Sequence, residues 1–372
     1  MKRAIWLSIV LAMVVALAFS QSQPQARRPF GTVDYVEGSV SITRANRVLG
    51  ETNFGDEVFP DDMIKTENDG LVIIKLDRTT GMNGDLTVRS GSSIYLRFEP
   101  HATSPRSTIE VITGQIGSKV SRLAGSPTLQ VRNESTVMGV RGTEFGFVTA
   151  PTGSVLVYCT EGNVACSSDD VNLNIPAGQG AEQVPGQRLR LLPVAISNAR
   201  DFENRWFSDQ IEAFRANAPR ALADFARRYE QLHSEFYTAF EPFQSSEILA
   251  RWMQEDRSGA ALGSPNSPAL MRDKREMITH IARLRRNLFI FERIYLRIDQ
   301  LADIILGTAI ENQEIRPGLT AGAFLRRVRS DAPALTRHVS LYRYAETLYA
   351  IRNEGRLPTD MSDDDFFGSS DF

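Results

Sequence analysis

The stretch Ser135-Thr-Val-Met-Gly-Val-Arg-Gly-Thr-Glu-Phe145 contains two glycines that flank the pair Val140-Arg141. Gly139 and Gly142 predict a tight backbone turn that a β-carbon would obstruct. The residues from Thr143 to Val148 then predict a strand that leaves the turn. The simplest interpretation of this stretch is a turn at a strand junction, and ligand binding is the alternative that stays open.

On both sides of this turn, short β-like runs alternate with turns rich in glycine and aspartate. Val33, Tyr35, Val40 and Ile42 alternate with polar residues, which is the period of a strand with one buried face. Many short strands between residues 31 and 194 predict an all-β domain built as a sandwich, a barrel or a short solenoid. Further runs are Leu71–Leu76, Leu86–Arg89, Ile94–Phe98, Ile109–Ile112, Leu129–Arg132, Glu144–Thr149 and Val155–Tyr158.

The apolar period changes at about Ala195, and the rest of the chain predicts an α-helical domain over residues 195–357. Two long apolar stripes, joined by a segment rich in glycine and proline between Ser258 and Pro268, predict a helical hairpin or bundle. A further helix is expected to end near Gly355, and the acidic tail 358–372 is expected to be disordered. The fold class is therefore α+β in two domains. The stripes consist of Leu222, Phe225, Tyr229, Leu232, Phe236 and Phe240, and of Ile281, Leu284, Leu288, Phe291, Tyr295 and Ile298.

The first 20 residues have the pattern of a secretory signal peptide. Lys2 and Arg3 precede an apolar run that ends at Phe19, with small residues at Ala18 and Ser20. This run is shorter than the ~20 apolar residues that a membrane-spanning helix needs, so cleavage near Ala18 or Ser20 is favoured over an uncleaved anchor. Residues 21–30 are then a linker, and the protein is expected to be periplasmic or otherwise extracytoplasmic.

Two cysteines, Cys159 and Cys166, lie in the β-patterned stretch around Glu161-Gly162. If this stretch is a short hairpin, the two side chains fall on one face and a disulfide is geometrically reasonable in an oxidising compartment. Two thiols without a nearby histidine do not complete a tetrahedral metal site. We therefore predict a disulfide and no metal site.

Several motifs in the β half resemble the FecR family of extracytoplasmic β domains. The signature-like residues are Gly139, Val140, Arg141, Gly142, Thr143, Glu144 and Phe145. Other motifs follow in the order of the family, namely Gly38-Ser39-Val40, Gly55-Asp56-Glu57-Val58, Ile64-Lys65-Thr66, Gly70 before a strand, Glu161-Gly162 before Val164, and Ile175-Pro176-Ala177-Gly178-Gln179-Gly180. The resemblance covers residues 31–194 and implies a β domain that meets protein or envelope-polymer partners.

The best-known members of that family are membrane-crossing regulators that pass a signal to a cytoplasmic sigma factor. This sequence departs from their pattern, because only Met1, Lys2 and Arg3 precede the apolar run. Control of a sigma factor is therefore not expected. The helical half has no recognised resemblance.

The helical half is rich in arginine and aromatic residues. Its arginines are candidates for an anion-binding or partner-binding surface, although a solvated face with local ion pairs is the simpler interpretation. The aromatics exceed what one helix can bury, so a homo-oligomer through the helical domain is a further candidate. The candidate arginines are Arg283, Arg285, Arg286, Arg293 and Arg297.

Spacing in the sequence predicts neither a catalytic constellation nor a cofactor site. The net charge of −3 and the expected compartment disfavour nucleic acid as a partner. We therefore expect a non-enzymatic cell-envelope protein that acts as an adaptor or sensor through protein contacts. The alternative is a protein that binds carbohydrate or peptidoglycan, or an envelope hydrolase with a site in the β domain.

Overall fold

The chain folds into a β-rich region followed by helices, which confirms the predicted α+β class. The predicted signal peptide and the predicted acidic tail lie outside the residues that the structure describes. Among the described helices, none combines the length and the apolar character needed to cross a bilayer. The structure is a computed structural model, and it describes residues 29–44, 47–60, 62–99, 106–122, 128–140, 142–168, 171–260 and 267–353.

Seventeen described strands form the β-rich region, which ends at Pro193. Their order in the chain is β1 (Gly31–Glu37), β2 (Val40–Arg44), β3 (Arg47–Val48), β4 (Glu57–Val58), β5 (Met63–Thr66), β6 (Leu71–Leu76), β7 (Met82–Val88), β8 (Ser93–Glu99), β9 (Arg106–Arg122), β10 (Thr128–Arg132), β11 (Val137–Val140), β12 (Thr143–Thr149), β13 (Val155–Glu161), β14 (Asn163–Ser168), β15 (Val171–Pro176), β16 (Gln179–Gln183) and β17 (Arg190–Pro193).

The strands form two sheets that enclose one apolar core. The first sheet has the order β4-β1-β6-β7-β9-β12-β13-β16-β17 and is antiparallel throughout. The second has the order β3-β2-β5-β8-β9-β10-β11-β14-β15, in which only β9 and β10 run parallel. Apolar side chains from both sheets, among them Ile42, Ile74, Val111 and Phe147, belong to the shared core. Of the three predicted alternatives, the architecture is therefore a sandwich.

Strand β9 belongs to both sheets, because it bends in the middle. Its first half pairs with β8 and β10, and its second half pairs with β7 and β12. The bend falls at Gly114, whose φ of +98° is outside the range that L side chains adopt readily. A β-carbon there would also lie 2.3 Å from the Ser92 Oγ. Glycine at this position lets one long strand turn the corner of the sandwich.

The structure corrects the predicted disulfide. Cys159 lies on β13 in the first sheet and Cys166 lies on β14 in the second sheet, because the chain crosses between the sheets at Gly162 instead of forming a hairpin. Both cysteines are buried in the sandwich core with free thiols. Burial raises the pKa of the Cys166 thiol to about 12.

In the described part of the chain, five α-helices follow the sandwich, and several of their ends match capping signals in the sequence. The side chains of Ser246, Ser267 and Thr320 each accept a backbone N–H from the first turn of the helix that they precede. Pro268 occupies the first turn of its helix, where its missing N–H costs no hydrogen bond. The helices are α1 (Ala199–Ala216), α2 (Ala218–Gln244), α3 (Glu247–Ser258), α4 (Pro268–Ile305) and α5 (Ala321–Arg352).

The predicted stripes of α2 and α4 face each other in a second apolar core, to which α3 and α5 also contribute. Tyr229, Phe236 and Phe291 form tilted ring pairs at its centre, with centroid distances of 5.3 Å and 5.6 Å to Phe291. A short hairpin of β18 (Glu314–Arg316) and β19 (Leu319–Thr320) joins α4 to α5. The helical bundle thus has a core of its own.

Two helices contact the outer faces of the sandwich. Trp206 of α1 packs on Val148, Leu156 and Tyr158 of the first sheet. On the second sheet, Leu296 of α4 packs on Tyr95 and Ile112. The sandwich is therefore held between α1 on one face and α4 on the other.

Candidate functional site

The signature-like residues lie where the chain crosses from the second sheet to the first. Gly142 sits between β11 and β12 with a φ of +66°. Its carbonyl oxygen would lie 2.8 Å from a β-carbon at Gly162, so the neighbouring crossover also requires glycine. These contacts favour the interpretation of the stretch as a strand junction.

The other signature-like residues have different places. Gly139 is part of β11, where it pairs with Gln130 and Ala165, and so it is not in the turn. Val140, Thr143 and Phe145 are buried, and Glu144 is half-exposed on the outer face of the first sheet. Arg141 lies outside the described residues.

A polar groove of about 690 Å³ opens on that outer face. Cross-strand neighbours Thr87, Gly117, Gly146 and Tyr158 form one row across β7, β9, β12 and β13. A β-carbon at Gly146 would lie 2.3 Å from the Tyr158 ring, and one at Gly117 would lie 2.8 Å from an Arg89 terminal nitrogen. The two glycines therefore make the room in which the Tyr158 ring and the Arg89 guanidinium lie.

A row of charged residues borders one side of the groove. Lys75, Asp85, Lys119, Glu144 and Glu161 are successive cross-strand partners on β6, β7, β9, β12 and β13. The Lys119 ammonium lies 2.9 Å from the Glu144 carboxylate and 3.2 Å from that of Glu161. Hydrogen bonds to these carboxylates raise the pKa of Lys119. Because Glu144 and Glu161 are directly opposite each other, the lysine offsets the repulsion of a like-charged pair.

The other side of the groove is formed by the 3₁₀ turn Ile196–Asn198 and the first turn of α1. One turn further along α1, the fully buried Glu203 carboxylate accepts hydrogen bonds from Arg89 and from the Tyr158 hydroxyl. Burial, and then the nearby Glu203, raises the pKa of Tyr158 above its usual value. Trp206 donates its indole N–H to Glu182 over 2.6 Å. The base of the groove is thus joined directly to α1.

A second cluster of buried charges joins α4 to the other sheet. The Glu110 carboxylate, which is fully buried on β9, lies 3.0 Å from Arg97 and 3.8 Å from Arg132, and it also pairs with Arg293 of α4. Arg297, one turn further, lies 3.0 Å from Glu134. A charged side chain loses its hydration when it is buried, which costs free energy unless the charge is paired. The contact between α4 and the second sheet therefore depends on both members of each ion pair.

More polar contacts extend this α4 junction. The Tyr95 hydroxyl donates to Glu292 over 2.5 Å and accepts from Arg343 over 2.7 Å. Gln300 donates to the Gly91 carbonyl over 3.0 Å. The helical bundle therefore meets the second sheet largely through charged and polar groups.

The five candidate arginines do not form one exposed surface. Arg293 and Arg297 are 5% and 8% exposed at the α4 junction, where they pair with the sandwich. Arg283 is exposed and Arg285 is half-buried, whereas the side chain of Arg286 lies outside the described residues. The sequence showed their spacing along one helix but not which side of that helix faces a sheet.

Sequence reasoning missed the groove residues Arg89, Tyr158 and Glu203. They come from three distant segments, and no local motif connects them. The one signal in the sequence is a glycine inside a β-patterned segment, as at Gly117 and Gly146, because such a glycine often marks a close approach of another group to the backbone. Within the described ranges, no group of three histidine, cysteine or acidic residues is placed to hold a metal ion.

The β-rich region is a two-sheet sandwich. The outer face of its first sheet carries a polar groove, which lies next to the first helix. Residues 64–165 match the family model described as FecR protein, so this part of the β-rich region is similar to FecR domains. The matched residues include most of the groove and the whole signature-like stretch.

Two crystal structures show similarity to this chain. Both are of a "putative anti-sigma factor" from Parabacteroides distasonis ATCC 8503, at 1.65 Å and 2.50 Å resolution. They share 13% and 14% sequence identity with it at a TM-score of 0.32 each. The matches cover 38% and 37% of this chain, and they span 63% and 62% of those chains. No curated protein matches the sequence.

Proposed function

We propose that this chain is a non-enzymatic adaptor or sensor of the cell envelope, in which the groove of the FecR domain binds a protein partner. The observation that carries the proposal is the groove itself. It is open and polar, and its charged border includes Glu144 of the signature-like stretch. Through Arg89 and Glu203 its base contacts α1, so an occupant would act on the helical bundle as well as on the sandwich.

The extracytoplasmic location is part of this proposal and depends on the apolar segment that precedes residue 20. An adaptor outside the cytoplasm can bind one partner through one surface and a second partner through another surface. The groove is a candidate for the first surface. The exposed face of the helical bundle, which includes Arg283, is a candidate for the second.

Glycan binding is the alternative, and the aromatic residues of the groove do not favour it. Sugars commonly stack on exposed aromatic faces, whereas Phe145 and Tyr158 are 3% and 5% exposed. The carboxylates of Glu144 and Glu161 are both held by Lys119 and are not arranged around an enclosed reaction centre. Protein contacts through polar side chains and backbone suit this surface better.

Site-specific photo-crosslinking in cells tests the proposal. A photoreactive residue in place of Asp85, on the border of the groove, is expected to trap one defined protein. The same residue in place of Gln187, exposed in the turn after β16, serves as the control and should not trap that protein. Retention on purified peptidoglycan, with no adduct from position 85, would support the glycan alternative and contradict the adaptor.

A further inference from the structure

Strand β15 is a sheet edge with less protection than the other sheet edges of the described structure. Edge strands present unpaired N–H and C=O groups, and proteins protect them by short length, charge or proline. In the described structure, β3 and β4 have two residues each, and β17 has four with Arg190 and a terminal Pro193. Strand β15 also ends on a proline, Pro176, but it has six residues, Val-Asn-Leu-Asn-Ile-Pro, and none of them is charged.

Only one side of β15 is paired among the described strands. All six residues pair with β14, from Asn163 opposite Pro176 to Ser168 opposite Val171. The registers of the described strands give β15 no second partner, since the next strand along the chain, β16, pairs with β13 and β17. Asn172 and Asn174 point to the exposed face, whereas Val171 and Leu173 are half-buried at the margin of the sandwich core.

The sequence of β15 has the symmetry of a strand that pairs with itself. An antiparallel pair centred on Leu173 places Asn172 opposite Asn174 of the second copy, and Val171 opposite Ile175. The apolar side chains then meet on the core face and the asparagine amides meet on the exposed face. In a two-fold pair each contact occurs twice, so a strand whose like residues meet across the axis is complementary to its own copy.

We propose that two copies of this chain associate through β15, so that their second sheets form one continuous antiparallel sheet. The two β15 strands would form roughly four to six backbone hydrogen bonds with each other, depending on which residues of β15 point their N–H and C=O groups away from β14. The half-buried Val171 and Leu173 lose their remaining exposure. This contact lies in the β domain, on a strand separate from those that border the groove.

Sedimentation velocity across a concentration series tests the proposal. The purified chain is expected to show a monomer–dimer equilibrium. The double variant Asn172→Lys/Asn174→Lys places two like-charged pairs across the interface and should raise the dimer Kd at least about tenfold. The variant Asn172→Asp/Asn174→Lys places opposite charges across the same two contacts and should restore dimerisation.

The control Gln187→Lys/Asn204→Lys adds the same charge at exposed positions outside β15 and should leave the equilibrium unchanged. A second measurement needs no variant, because exchange of the Val171–Ile175 amide hydrogens should slow as the protein concentration rises. Monomer at every concentration, concentration-independent exchange, or lack of rescue by the opposite-charge variant would each overturn the proposal.

Discussion

At the scale of single residues, Gly146 is the position on which the groove depends most. Its place under the Tyr158 ring leaves no room for a side chain, since a β-carbon would come within 2.3 Å of the ring. Gly146→Ala is expected to displace that ring from Glu203 and to lower the free energy of unfolding by about 1–3 kcal/mol. Urea unfolding of the variant measures this loss.

Gly139→Ala is the matched control, because it lies in the same stretch of the chain. Gly139 is not in a positive-φ conformation, and the nearest neighbour of an added β-carbon is 4.0 Å away. The control should change stability by less than about 0.5 kcal/mol, as for a substitution without a steric conflict. Equal losses in the two variants would show that the Tyr158 contact is not the cause.

The two cysteines carry a second prediction at this scale. Because both are buried as free thiols, native protein should react slowly with a thiol reagent at pH 8, and both thiols should react once the chain is unfolded without reductant. The raised pKa of Cys166 adds stability that is present below the ordinary value of 9.0 and is lost as the pH rises towards about 12. Absence of reactive thiols in the unfolded, unreduced chain would contradict the structure and favour the disulfide.

At the scale of elements, the junction between α4 and the second sheet depends on Glu110. This carboxylate is surrounded by Arg97, Arg132 and Arg293, so its removal leaves buried positive charge without its counter-charge. Glu110→Gln is expected to destabilise the protein by about 3–5 kcal/mol. Thermal and urea unfolding measure the effect.

Glu144→Gln provides the comparison, because Glu144 makes a similar ion pair with Lys119 at an exposed site. Exposed pairs contribute at most about 1 kcal/mol, so this variant should remain close to the wild type in stability. If Glu110→Gln were as mild as Glu144→Gln, the buried cluster would not be holding the junction.

Sequence periodicity predicted most of the elements, but not how they meet. The stripes of α2 and α4 and the short strands follow from local pattern, and Gly142 was identified as a turn residue from its context. The crossover at Gly162, by contrast, looks like a hairpin in sequence, because the choice of strand partner depends on residues far along the chain. For the same reason the burial of Arg293 was not predictable from its helix alone.

At the scale of the whole molecule, two apolar cores are joined by an interface that is rich in ion pairs. Val33, Ile64 and Phe147 are among the residues of the first core, and Leu222, Ile281 and Leu348 are among those of the second. Because each region has its own core, and charged groups such as Glu110 and Arg293 regain water when the regions separate, we expect each region to fold alone.

The unfolding of two fragments, residues 29–194 and 195–357, tests this central claim most directly. Each fragment is expected to unfold cooperatively by circular dichroism, the first with a β spectrum and the second with a strongly helical one. Both should be less stable than in the full chain, since the Glu110 and Glu203 contacts are lost. A helical fragment that is unfolded alone but ordered in the full chain would contradict the account, because the two regions would then form one cooperative unit.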